Sequence, residues 1–282
     1  MFRGEISDFP AEVQHSGSKN YLRFAYPLVL LALESEGSKN LSGIAALNVS
    51  SDIVQDPSVN LFLSSLRKGV NFVLNGENQA SSEQNFGKMS IKSRVIGIDG
   101  LNASGKTTLI KELAGDVATS VDRIVLVDNL AEPFLKNRYR PDSVRLKDIS
   151  GITETLLLGS NLYYKFGVLV NESRSLMDRS ILSFLAYQTH VLSTEYNYPS
   201  EQCLKFLELV LSGLTPPEKT ILLDIDIETM KKRTAIGSQD IQRFEDIASL
   251  FKSMSRTIPN VFIVDAKRDI RRVVEEVRSI TS

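Results

Sequence analysis

The stretch Arg94-Val-Ile-Gly-Ile-Asp-Gly-Leu-Asn-Ala-Ser-Gly-Lys-Thr-Thr-Leu-Ile-Lys-Glu-Leu113 decides how this chain reads. Within it Gly100, Gly105, Lys106 and Thr107 fill the pattern G-x-x-x-x-G-K-[ST], and each position has a physical cause. The two glycines admit backbone conformations that let successive N–H groups converge on phosphate oxygens. Lys106 brings a mobile cation, Thr107 a hydroxyl suited to Mg²⁺, and the helix that follows adds the positive end of its dipole. The context agrees with the pattern. Val95, Ile96 and Ile98 predict a short buried strand, and Thr108 to Leu113 a helix, on either side of the loop.

Beyond this loop the chain alternates. Strands are predicted over 123–128, ending at Asp178, over 219–225 and over 261–265. Helices are predicted over 152–170, 181–193, 200–214, 228–234, 242–258 and 270–280. Strands separated by helices imply a parallel sheet covered on both faces, the three-layer α/β fold of P-loop NTPases. Ligands of such sheets bind at the carboxyl ends of the strands, where Gly100, Asp128, Asp178 and Asp226 fall.

Upstream, residues 1–20 lack periodicity and read as a loose arm, and 77–92, rich in Asn, Gln, Ser and Gly, as a linker before a domain at 93–282. Between them, 21–76 reads as a small helical module, either a three-helix bundle or a winged-helix-like unit. Residues 1–90 carry seven Lys or Arg against nine Asp or Glu, so this segment lacks the basic character expected of a DNA reader. A protein partner for the module is the expectation.

Composition narrows the rest. A net charge of −1 over 282 residues gives no general reason to expect nucleic acid or anionic membrane as the main partner. The single cysteine, Cys203, fits a reducing compartment, and the longest apolar run, 24–33, contains Pro27 and is too short for a membrane span. A cytoplasmic protein is expected. Neither His15 nor His190 has company suggesting a metal set; Cys203 and Tyr163 read as core, whereas base stacking is the other reading for Tyr163 and Tyr164.

Asp178-Arg179-Ser180 places a carboxylate and a guanidinium at a strand end beside the loop. The aspartate suits Mg²⁺ and the arginine can bridge two phosphates. Together with D-G-L-x-x-S-G-K-T-T, Glu132-Pro133, Ala186-Tyr187-Gln188, the strand end Leu223-Asp224-Ile225-Asp226 and Arg243-Phe244-Glu245, in this order, the chain resembles the thymidylate kinase-like nucleoside and nucleotide kinases from about 95 to 280.

That resemblance implies a transfer from ATP to a deoxynucleoside monophosphate such as dTMP, with a deoxynucleoside kinase or a nucleotide-sensing regulator as alternatives. It implies that Lys106 and the loop from Gly100 through Asn102, Ala103, Ser104, Gly105, Thr107 and Thr108 hold the ATP phosphates, with Thr107 and Asp178 serving Mg²⁺. It further implies that Arg179 contacts the acceptor phosphate, that Glu132, Pro133, Phe134, Tyr187 and Gln188 line the acceptor side, and that Arg243, with Lys232 and Arg233 near it in sequence, lies in or beside a lid. A homodimer is implied as well. The chain departs from the family pattern where Asn102 replaces a carboxylate, where Leu162 stands at an arginine position, and where the lid, 234–240, has no basic residue. Lys136, Arg138, Arg140 and Arg145 either replace the missing charge or form a solvated surface.

Overall fold

The computed structural model of the chain describes residues 94–115, 123–125, 151–169, 174–235 and 237–282, together with Ser65. The arm, helical module and linker expected over 1–92, and Glu132, Pro133, Phe134 and the basic loop at 136–145, lie outside the described residues, Ser65 apart. The chain divides into two compact units, one built from 1–86 and 128–164 and the other from 87–127 and 165–282.

In the second unit the parallel sheet is as expected. Its strands are β1 (Arg94–Gly100), β2 (Arg123–Val125), β3 (Arg174–Asp178), β4 (Lys219–Asp224) and β5 (Val261–Asp265), and they lie in the order β2-β3-β1-β4-β5. All four pairings are parallel, with Ile98 opposite Asp178, Gly100 opposite Leu223 and Asp224 opposite Asp265. The central strand β1 is buried from Val95 to Gly100, which accounts for its near-continuous apolar run. The helices are α1 (Lys106–Gly115), α2 (Gly151–Leu169), α3 (Ile181–Tyr196), α4 (Ser200–Val210), α5 (Ile227–Arg233), α6 (Ser238–Thr257) and α7 (Ile270–Thr281). Helices α1 and α7 pack together, as do α3 and α6, with α4 beside α3. Leu109, Ile110 and Val277 supply fully buried side chains from the first pair, Ala186 and Ile247 from the second.

Helix α2 begins in the first unit, where Thr155 donates its hydroxyl to the Gly151 carbonyl at 2.7 Å and Tyr163 and Leu162 are buried. Tyr163 is therefore a packing residue. Boundaries shift by a few residues for identifiable reasons. Helix α3 runs on to Tyr196, where Asn197 takes the left-handed conformation that ends helices. Helix α6 starts at Ser238, in polar sequence where apolar periodicity gives no signal. Asp226, which follows a strand end, is the N-cap of α5, its carboxylate accepting from the Thr229 amide at 2.8 Å.

One contact fixes how β1 meets α3. A Cβ built on Gly97 would fall 2.5 Å from Ser180 Oγ and 2.7 Å from Ser180 Cβ. Only the bare glycine lets the segment after β3 cross the strand this closely. Gly97→Ala is expected to cost about 2 kcal/mol in urea-induced unfolding, because Ser180 cannot yield without giving up its own hydrogen bond; a change below about 0.5 kcal/mol would show the contact to be soft.

Candidate active site

The phosphate loop joins β1 to α1, and its backbone is wound as the sequence pattern demands. Gly100 has φ +143° and Ala103 φ +59°, and Gly105 has φ +96°. At Gly100 a side chain is also excluded by space, because a Cβ there would meet the Leu223 carbonyl oxygen at 2.6 Å. Lys106 is buried, and its ammonium donates to the carbonyls of Gly100 at 3.1 Å and Leu101 at 2.8 Å and to Ser104 Oγ at 3.3 Å. Burial, reinforced by the nearby Arg179 charge, lowers its pKa to about 7.

Asp99, the residue before Gly100, is fully buried and was not among the candidates. One of its oxygens accepts from the amides of Ser180 at 2.8 Å and Ser183 at 3.1 Å; the other accepts from the Ser180 hydroxyl. The amino end of α3 is thus capped from a different strand. Burial pushes the Asp99 carboxyl up. Its position after an apolar strand and before the first loop glycine was the available signal.

Asp178 and Arg179 arrive beside the loop because β3 pairs with β1 and the Arg179 amide bonds to Ile98 O at 3.0 Å. Arg179 adopts φ +57°, a turn that sends its side chain over the loop. There its Nη2 donates to Asn102 Oδ1 at 2.5 Å, and its guanidinium lies 5.3 Å from the centre of the Tyr187 ring. The Tyr187 hydroxyl donates to the same Asn102 oxygen at 3.3 Å. Behind Asp178, the buried Lys165 of α2 donates to its backbone carbonyl at 2.9 Å. Lys165 too was unforeseen, a lysine inside an apolar helix being the only hint.

An open cleft of 540 Å³ runs along the loop, lined by Asn102 to Leu109, Asp178, Arg179, Leu223, Arg233, Ala266, Arg268, Ile270 and Val273. Arg243 does not line the cleft; it is half-buried on α6, 5.8 Å above the Phe244 ring and close enough to His190 to lower its pKa alongside burial. Arg233, at the end of α5, takes the position over the loop. Its Nη1 donates to the carbonyls of Ala103 at 3.3 Å and Ser104 at 3.4 Å, and its Nη2 to Ala266 O at 2.7 Å. Gln188 is buried on α3, and neither it nor Tyr187 lines this cleft. Cys203 is buried, and burial pushes its thiol up to about 11.

The donor set suits Mg²⁺. Asp178 Oδ1 is buried with no hydrogen-bond partner, and Thr107 stands exposed on the same cleft. An orphaned carboxylate oxygen beside a hydroxyl fits a hard cation whose remaining ligands are water and phosphate. Among the described residues no cluster of three or more His, Cys, Asp or Glu side chains forms a separate metal site, and no helix is long and apolar enough to cross a membrane.

A parallel sheet of order 2-3-1-4-5 with a glycine-rich loop after its central strand defines the α/β fold of P-loop NTPases. Two solved structures share it. One is a thymidylate kinase from Candida albicans, described as having broad substrate specificity, with a TM-score of 0.52 and 24% identity over 68% of this chain and 92% of its own. The other is a deoxyadenosine kinase from M. mycoides with dCMP bound, with a TM-score of 0.51 and 17% identity over 66% of this chain and 97% of its own. No family model and no curated protein sequence matches the chain.

A phosphate bound beside the buried ammonium would have a pH-dependent affinity with a definite sign. Such a phosphate would hold Lys106 protonated, with a bound pKa above the free value of about 7. Affinity is then complete below the free pKa and declines as pH rises through the bound one. Calorimetry of ADP binding with EDTA present, in buffers of different ionisation enthalpy, is expected to show uptake of nearly one proton at about pH 8, where free Lys106 is mostly neutral. Heats independent of the buffer would show the lysine to be charged already.

Proposed function

We propose that this chain is an ATP- and Mg²⁺-dependent phosphotransferase acting on a deoxynucleoside monophosphate, dTMP foremost. The observation that carries the proposal is the placement of Asp178 and Arg179 against the phosphate loop, with Arg179 hydrogen-bonded to Asn102 of that loop. A triphosphate-binding loop alone would suit any nucleotide hydrolase or binder; an arginine aimed along it from the neighbouring strand suits transfer to a second phosphate. The order of motifs from Asp99 to Glu245 supports the same acceptor class.

In this reading the loop amides and Lys106 bind the β- and γ-phosphates of ATP. Lys106 leaves the carbonyls of Gly100 and Leu101 to do so, carrying its charge to the phosphates. Arg233, bonded to both the loop and Ala266, holds the donor side of the cleft to the turn after β5. Bound Mg²⁺, held by Thr107 and Asp178, would supply charge neutralisation and alignment of the donor phosphates. An oxygen of the acceptor phosphate attacks the γ-phosphorus, the bond to the β–γ bridging oxygen breaks, and ADP leaves. Arg179 spans the acceptor and the moving phosphoryl group. No covalent nucleophile is needed, since catalysis of this kind is positioning plus charge stabilisation.

A second reading, a deoxynucleoside kinase, has one observation in its favour. Leu162, which occupies the family's arginine position on α2, is buried. An acceptor that brings no phosphate would not need that charge.

A phosphoryl-transfer panel of deoxynucleosides and their monophosphates, with ATP and Mg²⁺, tests the pair. Transfer to dTMP is expected, with Arg179→Lys lowering kcat on the order of 100-fold while ATP affinity changes little. Phosphorylation of thymidine without dTMP would move the assignment to the second reading, and ATP binding with no transfer to any acceptor would leave a nucleotide sensor.

A further inference from the structure

We infer that Asn102 is a positioning residue that steers Arg179 without neutralising it, and that its uncharged amide commits the site to acceptors bearing a phosphate. This rests on the phosphoryl-transfer reading above and narrows the acceptor within it.

Arginine has only donors, so the atom of Asn102 that receives Arg179 Nη2 at 2.5 Å must be the amide oxygen. The Tyr187 hydroxyl converges on that same oxygen at 3.3 Å, and the Tyr187 ring lies under the guanidinium at 5.3 Å. Two contacts, to the Asn102 oxygen and the Tyr187 ring, therefore fix the direction of Arg179, the Tyr187 hydroxyl holds the same oxygen, and the charges of Asp178 and Asp99 act on the guanidinium without a direct hydrogen bond to it.

The other cations of the cleft are already engaged. Lys106 is turned onto loop carbonyls, Arg233 onto the carbonyls of Ala103, Ser104 and Ala266, and Arg268 is paired with the Glu276 carboxylate. Four cationic side chains line the cleft (Lys106, Arg179, Arg233 and Arg268) against one carboxylate, Asp178. Lys106, Arg179 and Arg233 are all held by neutral groups, and Arg179 is the one held by a side-chain amide, that of Asn102. A carboxylate at 102 would hold it in nearly the same place while cancelling the charge an acceptor phosphate has to meet.

Asn102 is exposed, so replacing it should leave the fold intact. Asn102→Asp keeps the shape and adds the charge, and Asn102→Ala removes the tether. For Asn102→Asp the KM and the calorimetric Kd for dTMP are expected to rise about fivefold or more, and by more than the Kd for thymidine or for ATP. For Asn102→Ala the kcat is expected to fall about tenfold with a smaller change in KM, because the untethered arginine keeps its charge and loses its aim. If the Asp variant binds dTMP as tightly as the unmodified chain, or if both variants weaken ATP to the same extent, residue 102 merely shapes the loop and the inference falls. The binding arm, run with dTMP, dAMP, dCMP and dGMP against their nucleosides, needs no turnover. A chain that transfers nothing would sink the kinase reading without deciding this one; a chain that binds nucleosides as well as monophosphates overturns this one whatever its turnover.

Discussion

A carboxylate with no access to solvent, that of Asp99, ties the phosphate loop to the segment that carries Asp178 and Arg179. It sits one residue before Gly100 and closes the amino end of α3 through the amides of Ser180 and Ser183 and the Ser180 hydroxyl. Burying a charge costs free energy that only such a set of donors offsets. Gly97, two residues earlier, allows Ser180 to come near enough for those bonds to form. Strand β1 thereby places both halves of the site, the loop through its own continuation and the arginine through its grip on α3.

Around this joint the charges are arranged to be held, not quenched. Lys106 and Arg233 rest on backbone carbonyls, which orient a cation while leaving its charge in force. Arg179 rests on an amide and a phenol ring. Asp178 is backed by the Lys165 ammonium at its carbonyl, while one carboxylate oxygen stays without a hydrogen bond. A site made in this way has a positive field to offer phosphates and a single oriented oxygen to offer a hard cation.

The legibility of these features in the sequence followed their range. The loop, its flanking strand and helix, and the alternating elements after it are set by contacts within a few residues, and the apolar runs of β1, β4 and β5 report burial on both faces. The two arginines show the limit of such reading. Arg243 stands where the motif order points to a lid, yet it packs over Phe244 near His190; Arg233, ten positions earlier, reaches the loop because α5 ends against the turn that follows β5. No periodicity encodes which of two neighbouring arginines a helix end will aim into a cleft. Lys165 and Asp99 escaped for the same reason, since a polar side chain in an apolar stretch reads as noise until its partner from a distant segment is known.

The sequence by itself determined the phosphate-loop geometry, the alternating α/β order and the residue types brought to the carboxyl ends of the strands. Those follow from backbone sterics and hydrophobic periodicity, which act locally. Only the tertiary structure decided that β3 lies beside β1, that Arg179 therefore meets Asn102 across 77 positions, and that Arg233 spans the loop and Ala266. Strand order is settled by packing between segments far apart in the chain, and the charges that define this site are neighbours only once that packing exists.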